Sequence, residues 1–223
     1  MAAGCYLIGI AGPSGAGKSY LARHLASELN SPVLPLDHYY RDLSHLSLEE
    51  RARSNFDEPH ALEHTLLFEQ VMELHQGRAI QLPLYDFSVH TRLSHTHLFA
   101  PSPYVVVEGL FTLYWPELRE LFGTAVYVEM GNDTCLERRL RRDVRERGRS
   151  PESVMEQFHH TVAPMAERYV RPTRQFAHVT LSGDTPIHEG VARVIDHIRR
   201  NETNRLSTAT QESVHSHASG RKG

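Results

Sequence analysis

Cys5-Tyr6-Leu7-Ile8-Gly9-Ile10-Ala11-Gly12-Pro13-Ser14-Gly15-Ala16-Gly17-Lys18-Ser19 decides the fold. An apolar, partly β-branched run from Tyr6 to Ile10 leads into Gly12, and four residues separate Gly12 from Gly17-Lys18-Ser19. This is the G-x-x-x-x-G-K-S pattern of a P-loop, preceded by a strand pattern and followed by a helix pattern. Its glycines let the backbone turn successive N–H groups toward one point, where they cradle phosphate oxygens. A helix opening near Lys18 adds its positive end. Lys18 is expected to reach the β- and γ-phosphates and the Ser19 hydroxyl to ligate Mg²⁺. Gly12, Pro13, Ser14, Gly15, Ala16, Gly17, Lys18, Ser19 and Tyr20 form the nucleotide-binding set. Because these contacts are to phosphates, the motif admits ATP and GTP alike.

Outward from the loop, Leu21, Leu25 and Leu29 recur at helical spacing until Asn30-Ser31-Pro32 stops them. Val33 to Leu36 reads as a short strand with Asp37 at its end. Strand C-termini carry the ligand crevice of an open parallel sheet, so Asp37 belongs near the P-loop. There it could ligate Mg²⁺ through water or take a proton from an acceptor hydroxyl. Tyr104 to Val107 is a buried strand ending in Glu108, the expected second carboxylate of the Mg²⁺ site. Ala125–Glu129 and Val179–Leu181 read as further strands, with helices over 60–75, 115–122 and 187–198. Such alternation predicts a doubly wound parallel α/β sheet with helices on both faces. Residues 1–200 form one domain. Within it, about 38–100 is an insertion with a β-ribbon over 79–87, and the aperiodic 201–223 is expected to be a disordered tail.

The chain of 223 residues is long enough for a substantial core. A net charge of −3 gives no basic field for nucleic acid or an anionic membrane. No apolar run is long enough to span a bilayer, and no leader pattern precedes the first strand. Cys5 and Cys135 stand in no metal or redox spacing, which fits a reducing, cytoplasmic setting. Sixteen histidines invite a metal reading, but His60/His64 and the His90, His95, His97 group lack cysteine or zincin-type partners. Arginines concentrate at Arg138, Arg139, Arg141, Arg142, Arg145, Arg147 and Arg149. A solvated helix face is the ordinary explanation of such a run. Arginine in place of lysine favours bidentate phosphate contacts instead, and Gly148 offers a hinge, so 138–150 reads as a lid.

Gly12–Ser19, Leu36–Asp42, Asn55–His60, Pro83–Arg92, Val106–Gly109 and Arg138–Asp143 with Glu146–Arg149 together resemble uridine kinases, the uridine–cytidine kinase family. The match extends over about 5–200, and Ser44 to Asp57 is similar to bacterial members. The resemblance implies γ-phosphoryl transfer from ATP to the 5′-hydroxyl of uridine or cytidine. By position, Asp37 corresponds to the acid–base residue, Asp57 to the carboxylate on the ribose hydroxyls, and Arg139 and Arg149 to its helpers. Tyr85, His90 and Gln157 correspond to the groups around the pyrimidine, and Arg142 and Arg147 to the lid's phosphate contacts. Feedback by CTP or UTP and a homotetramer are further implications of the family. The rival readings are a related kinase with another acceptor, such as phosphoribulokinase or pantothenate kinase, and a slow nucleotide-hydrolysing regulator.

Overall fold

The computed structural model describes residues 4–219. In chain order it runs β1 (Tyr6–Ala11), α1 (Lys18–Glu28), β2 (Val33–Pro35), α2 (Leu48–Arg53) and α3 (His64–His75). Next come β3 (Ile80–Asp86), β4 (Thr91–Phe99), β5 (Tyr104–Glu108), α4 (Pro116–Arg119), β6 (Phe122–Glu129) and α5 (Asn132–Arg147). Last are α6 (Pro151–Gln157), α7 (Ala163–Met165), β7 (Val179–Ser182) and α8 (Ile187–Ser219).

Five strands pair in parallel in the order β2-β5-β1-β6-β7, while β3 and β4 form a separate antiparallel ribbon. Successive side chains of a strand point to opposite faces, and both faces of the five-stranded sheet are buried. Ile8, Ile10, Val106, Val126 and Val128 pack with Leu21 and Leu25 of α1 and Val194 and Ile198 of α8. Leu7, Val105, Val107 and Tyr127 face the other way, toward Leu67, Val71 and Leu74 of α3 and Phe111. Burying each such aliphatic side chain contributes about 1.5–3 kcal/mol. The strand order sets the ends of β1, β5 and β2 side by side, and with them the P-loop, Glu108 and Asp37.

Four local readings differ from the structure. The helix expected over 115–122 is the single turn α4, and Phe122 already opens β6. Pro164 would ordinarily break a helix, yet α6 continues into two π-helical segments, Phe158–Val162 and Ala166–Val170, on either side of α7. A widened turn absorbs the N–H that proline lacks. Strand β4 had no apolar alternation to reveal it, because its residues are mostly exposed and polar. Finally, the helix does not end near Asn201 but reaches Ser219, and 220–223 lie outside the described residues. The apolar stripe stops at Ile198, yet no Gly or Pro intervenes before Gly220, and extending an existing helix is cheap.

Candidate active site

Strand β1 delivers the P-loop at its C-terminal end. Gly12, Gly15 and Gly17 have φ values of 146°, 86° and 105°, a region that side chains other than glycine's rarely enter. A Cβ on Gly12 would strike the Val128 carbonyl, and one on Gly15 the Cys135 carbonyl. The loop is therefore pressed against β6 and α5. Gly17 caps α1 without a side-chain hydrogen bond, which leaves the helix's first N–H groups open to an anion. Lys18 Nζ donates to the Pro13 carbonyl at 2.9 Å, folding the lysine back over the loop.

Glu108 accepts a 2.9 Å hydrogen bond from the Ser19 hydroxyl. Asp37 follows β2 in a 3₁₀ turn, Leu36–Tyr39. Lys18 and Glu108 are both buried. Burial pushes the Lys18 amine down, and the Glu108 and Asp37 charges push it back up. Burial raises the Glu108 carboxyl, Lys18 lowers it, and Asp37 raises it again. The result is one ammonium between two carboxylates, short of positive charge and lined with hard oxygen donors. Among the described residues no group of three or more His, Cys, Asp or Glu could hold a metal unaided. A hydroxyl and a carboxylate that leave other positions to phosphate and water fit Mg²⁺.

Asp57 lies beside this cluster in the insertion and is buried. Burial raises its carboxyl, Arg139 counteracts that, and the Asp37 charge adds to the rise. Arg139, buried on α5, donates to Ser14 Oγ at 2.9 Å and to Gln157 Oε1 at 2.8 Å. Arg149 donates to the same Gln157 oxygen. Gln157 thus joins the two arginines. Ser150 caps α6 by accepting from the Ser153 N–H, with Pro151 at the first helical position, which fixes where Gln157 emerges.

Aromatic rings cluster within the insertion. His90 sits in the ribbon turn at φ 54° and stacks on Phe56, with ring centroids 4.9 Å apart. Burial pushes the His90 imidazole down, and Arg149, Arg147 and Arg51 push the same way, so the ring is neutral at pH 7. Tyr40 lies between Phe56 and Tyr85, at 5.2 and 5.5 Å. The buried Tyr85 hydroxyl has no hydrogen-bond partner among the described residues. Burial pushes its pKa up to about 12, so it is held as a neutral donor.

The arginine run divides by position. Arg142 and Arg147 lie within electrostatic reach of the cluster, and Arg147 also lies over the Phe87 ring of the ribbon at 5.7 Å. Arg138 turns away, donating to the Gly183 carbonyl at 3.2 Å and to Asp184 at 2.8 Å. Arg141 pairs with Glu137 on the exposed face. Gly148, at φ 62°, ends α5 in the left-handed region. Beyond Arg138, a pocket of about 310 Å³ adjoins the P-loop, lined by Gly17, Tyr20, Leu21, Leu181, Gly183 and Ile187. Tyr20 is half-exposed at its mouth.

Sequence reasoning missed Phe56, Tyr40 and Phe87 as walls, and it missed Asp143, the carboxylate within the arginine run. Asp143 stands four residues from both Arg139 and Arg147, a spacing that signals a shared helix face.

The family model of the phosphoribulokinase / uridine kinase family matches residues 7–184. A uridine kinase of Salmonella paratyphi B is 43% identical over 182 residues, covering 78% of this chain and 85% of that protein. A uridine kinase of Salmonella typhimurium shows the same figures. Among solved structures, a putative fructose transport system kinase from Silicibacter sp. superposes with a TM-score of 0.66 at 20% identity, over 80% of this chain and 90% of that one. Phosphoribulokinase from Rhodobacter spheroides gives 0.60 at 12% identity, over 80% and 70%. These two share the fold, and the sequence matches decide the lineage: the chain is a P-loop α/β kinase that belongs to the phosphoribulokinase / uridine kinase family.

Proposed function

We propose that this kinase transfers the γ-phosphoryl group of ATP to the 5′-hydroxyl of uridine or cytidine, giving UMP or CMP. A run of neighbouring charged groups carries the reading. Lys18, Glu108 and Asp37 mark the phosphate end; Asp57 lies near Asp37 and Arg139; Arg139 and Arg149 share Gln157, and Arg149 lies near His90 of the insertion's aromatic cluster. A ribose placed between the two ends meets the Asp57 carboxylate, an acceptor for its diol. The pyrimidine enters between Phe56, Tyr85 and His90. Neutral imidazole donates from one nitrogen and accepts at the other, which suits both the uracil O4 and the cytosine amino group. The 310 Å³ pocket beyond Gly17 supports a place for the donor's base.

Phosphoryl transfer depends on alignment and on neutralising charge. The P-loop amides, Lys18, Arg142 and Arg147 surround the transferred group. Ser19 and Glu108 would hold Mg²⁺, whose charge neutralises the β- and γ-phosphate oxygens when bound. Asp37 orients the 5′-hydroxyl, whose oxygen bonds to the γ-phosphorus as the bond to ADP breaks. The hydroxyl proton passes to the Asp37 carboxylate. The two free, buried cysteines suit a cytoplasmic enzyme.

Transfer from Mg-ATP measured across uridine, cytidine, thymidine, adenosine, ribulose 5-phosphate and pantothenate tests this. Uridine and cytidine are expected to turn over, and Asp37→Asn to lower kcat by about 10²–10⁴-fold. Turnover of a non-pyrimidine acceptor alone would move the chain to another branch of its family.

A further inference from the structure

Asp143 is the least exposed carboxylate of the arginine run, with no accessible side-chain surface, yet four guanidinium groups converge on it. Arg142 Nε lies 2.8 Å from Oδ1 and Arg139 Nε 3.4 Å from Oδ2. Arg147 Nε is 3.7 Å from Oδ1 and Arg149 Nη1 3.9 Å from Oδ2. The Asp143 carbonyl also accepts from the Gly148 and Arg149 N–H groups, which close the turn at the end of α5. Burial alone would raise this carboxyl, but Arg142, Arg139 and Arg147 outweigh it and hold Asp143 ionised.

The four arginines are not equivalent. Arg139 is fixed by Ser14 and Gln157, and Arg149 by Gln157 and Ser153. Arg142 and Arg147 have no such second anchor of the hydrogen-bonding kind among the described residues, and their side chains are 34% and 38% exposed. Asp143 thus serves as the shared ion-pair partner of two tethered and two untethered cations, with Asp57 a further negative charge near Arg139. Without it, four like charges would share one helix end and repel.

We infer that Asp143 is a positioning residue: its carboxylate keeps Arg142 and Arg147 aimed at the phosphate end until the triphosphate replaces it as their partner. The inference rests on the proposed placement of the phosphates at the P-loop, and it deepens that reading without depending on which acceptor is used. In the Asp143→Asn variant, Arg142 and Arg147 lose a fixed direction but keep their charge. The variant is expected to bind Mg-ADP within about threefold of wild type while kcat falls about 10- to 100-fold, as misplacement of catalytic groups does.

The experiment is a cycle of Asp143→Asn with Arg142→Ala/Arg147→Ala, reading kcat, KM for ATP and Mg-ADP affinity by calorimetry in the full chain. A role through the two arginines predicts that Asp143→Asn costs less than about twofold once they are gone. An unchanged kcat in Asp143→Asn, or an undiminished loss in the double-alanine background, overturns the proposal. Should Asp143→Asn fail to fold, Asp143→Ser, which likewise removes the charge, takes its place in the same cycle, judged by the same two outcomes. The ADP titration needs no acceptor, so failure of the pyrimidine reading leaves that arm standing and is seen separately in the acceptor assay.

Discussion

The two ends of the central sheet solve opposite problems. At the C-terminal end, Lys18, Glu108, Asp37 and Asp57 are crowded together, and burial works against the charged form of each group whose titration is shifted. At the N-terminal end one run of neutral polar groups is consecutively bonded. Asn201 Nδ2 donates to Tyr6 OH at 3.0 Å; Tyr6 OH and Thr124 Oγ1 are 2.8 Å apart; Thr124 Oγ1 and His197 Nδ1 are 3.0 Å apart. Beside them the Ala125 N–H donates to His178 Nδ1, and the two imidazoles stack with centroids 5.2 Å apart. One end keeps charges in tension for a ligand to resolve, and the other end anchors α8 to β1 and β6. A sheet divided this way places stability and activity at different ends of the same strands.

Substitutions should separate the ends. The larger effect on kcat of this pair is expected from Lys18→Ala, a loss of about 10²–10³. Because its buried ammonium is opposed by burial, the melting temperature should hold or rise, as differential scanning calorimetry would register; a collapse in stability would refute the division. Thr124→Val should do the reverse. It removes the hydroxyl that Tyr6 and His197 share, costing about 1–3 kcal/mol of stability by urea unfolding, with kcat within about twofold. A large kcat loss there would mean the two ends communicate.

The smallest effect concerns pH. Burial lowers the His197 imidazole, and neighbouring His178 and Arg200 lower it further. A histidine with a depressed folded pKa takes up its proton more readily when unfolded, so stability is complete above about pH 6.5 and falls as the pH drops through that value toward the folded pKa. Protonation would also set a donor at His197 Nδ1 and a second positive charge against His178. Melting temperatures at pH 5.5 and 7.5 should differ less in His197→Asn than in wild type. Part of the acid loss should persist, because burial lowers His38 and His90 in the same direction. An unaltered pH slope would remove His197 from this account.

The two ends also differed in how far they could be read beforehand. The P-loop, Asp37 and Glu108 were legible because phosphate cradling demands fixed glycines, and because a parallel sheet delivers strand ends to one crevice. Asp57, Gln157 and His90 became candidates only through resemblance, since nothing local in the sequence sets them apart. Asp143 was in plain view within an i,i+4 pattern but was masked by the arginines around it. The Tyr6–Thr124–His197 chain left no signal, since its members come from β1, β6 and α8 and meet only after folding. The ribbon strand β4 was hidden for a simpler reason: its exposed polar residues carry no burial pattern.

The strand order has a further consequence during synthesis. Tyr6 pairs with Tyr104 and Leu7 with Phe122, so β1 leaves the ribosome long before either neighbour exists. At about 5–20 residues per second the wait is on the order of ten seconds. Through that interval the glycine loop has a sequence but no mould, because the Val128 and Cys135 carbonyls that Gly12 and Gly15 press against have not been made. A partly made chain therefore lacks a shaped phosphate cradle, and capture of a nucleotide marks completion of the sheet.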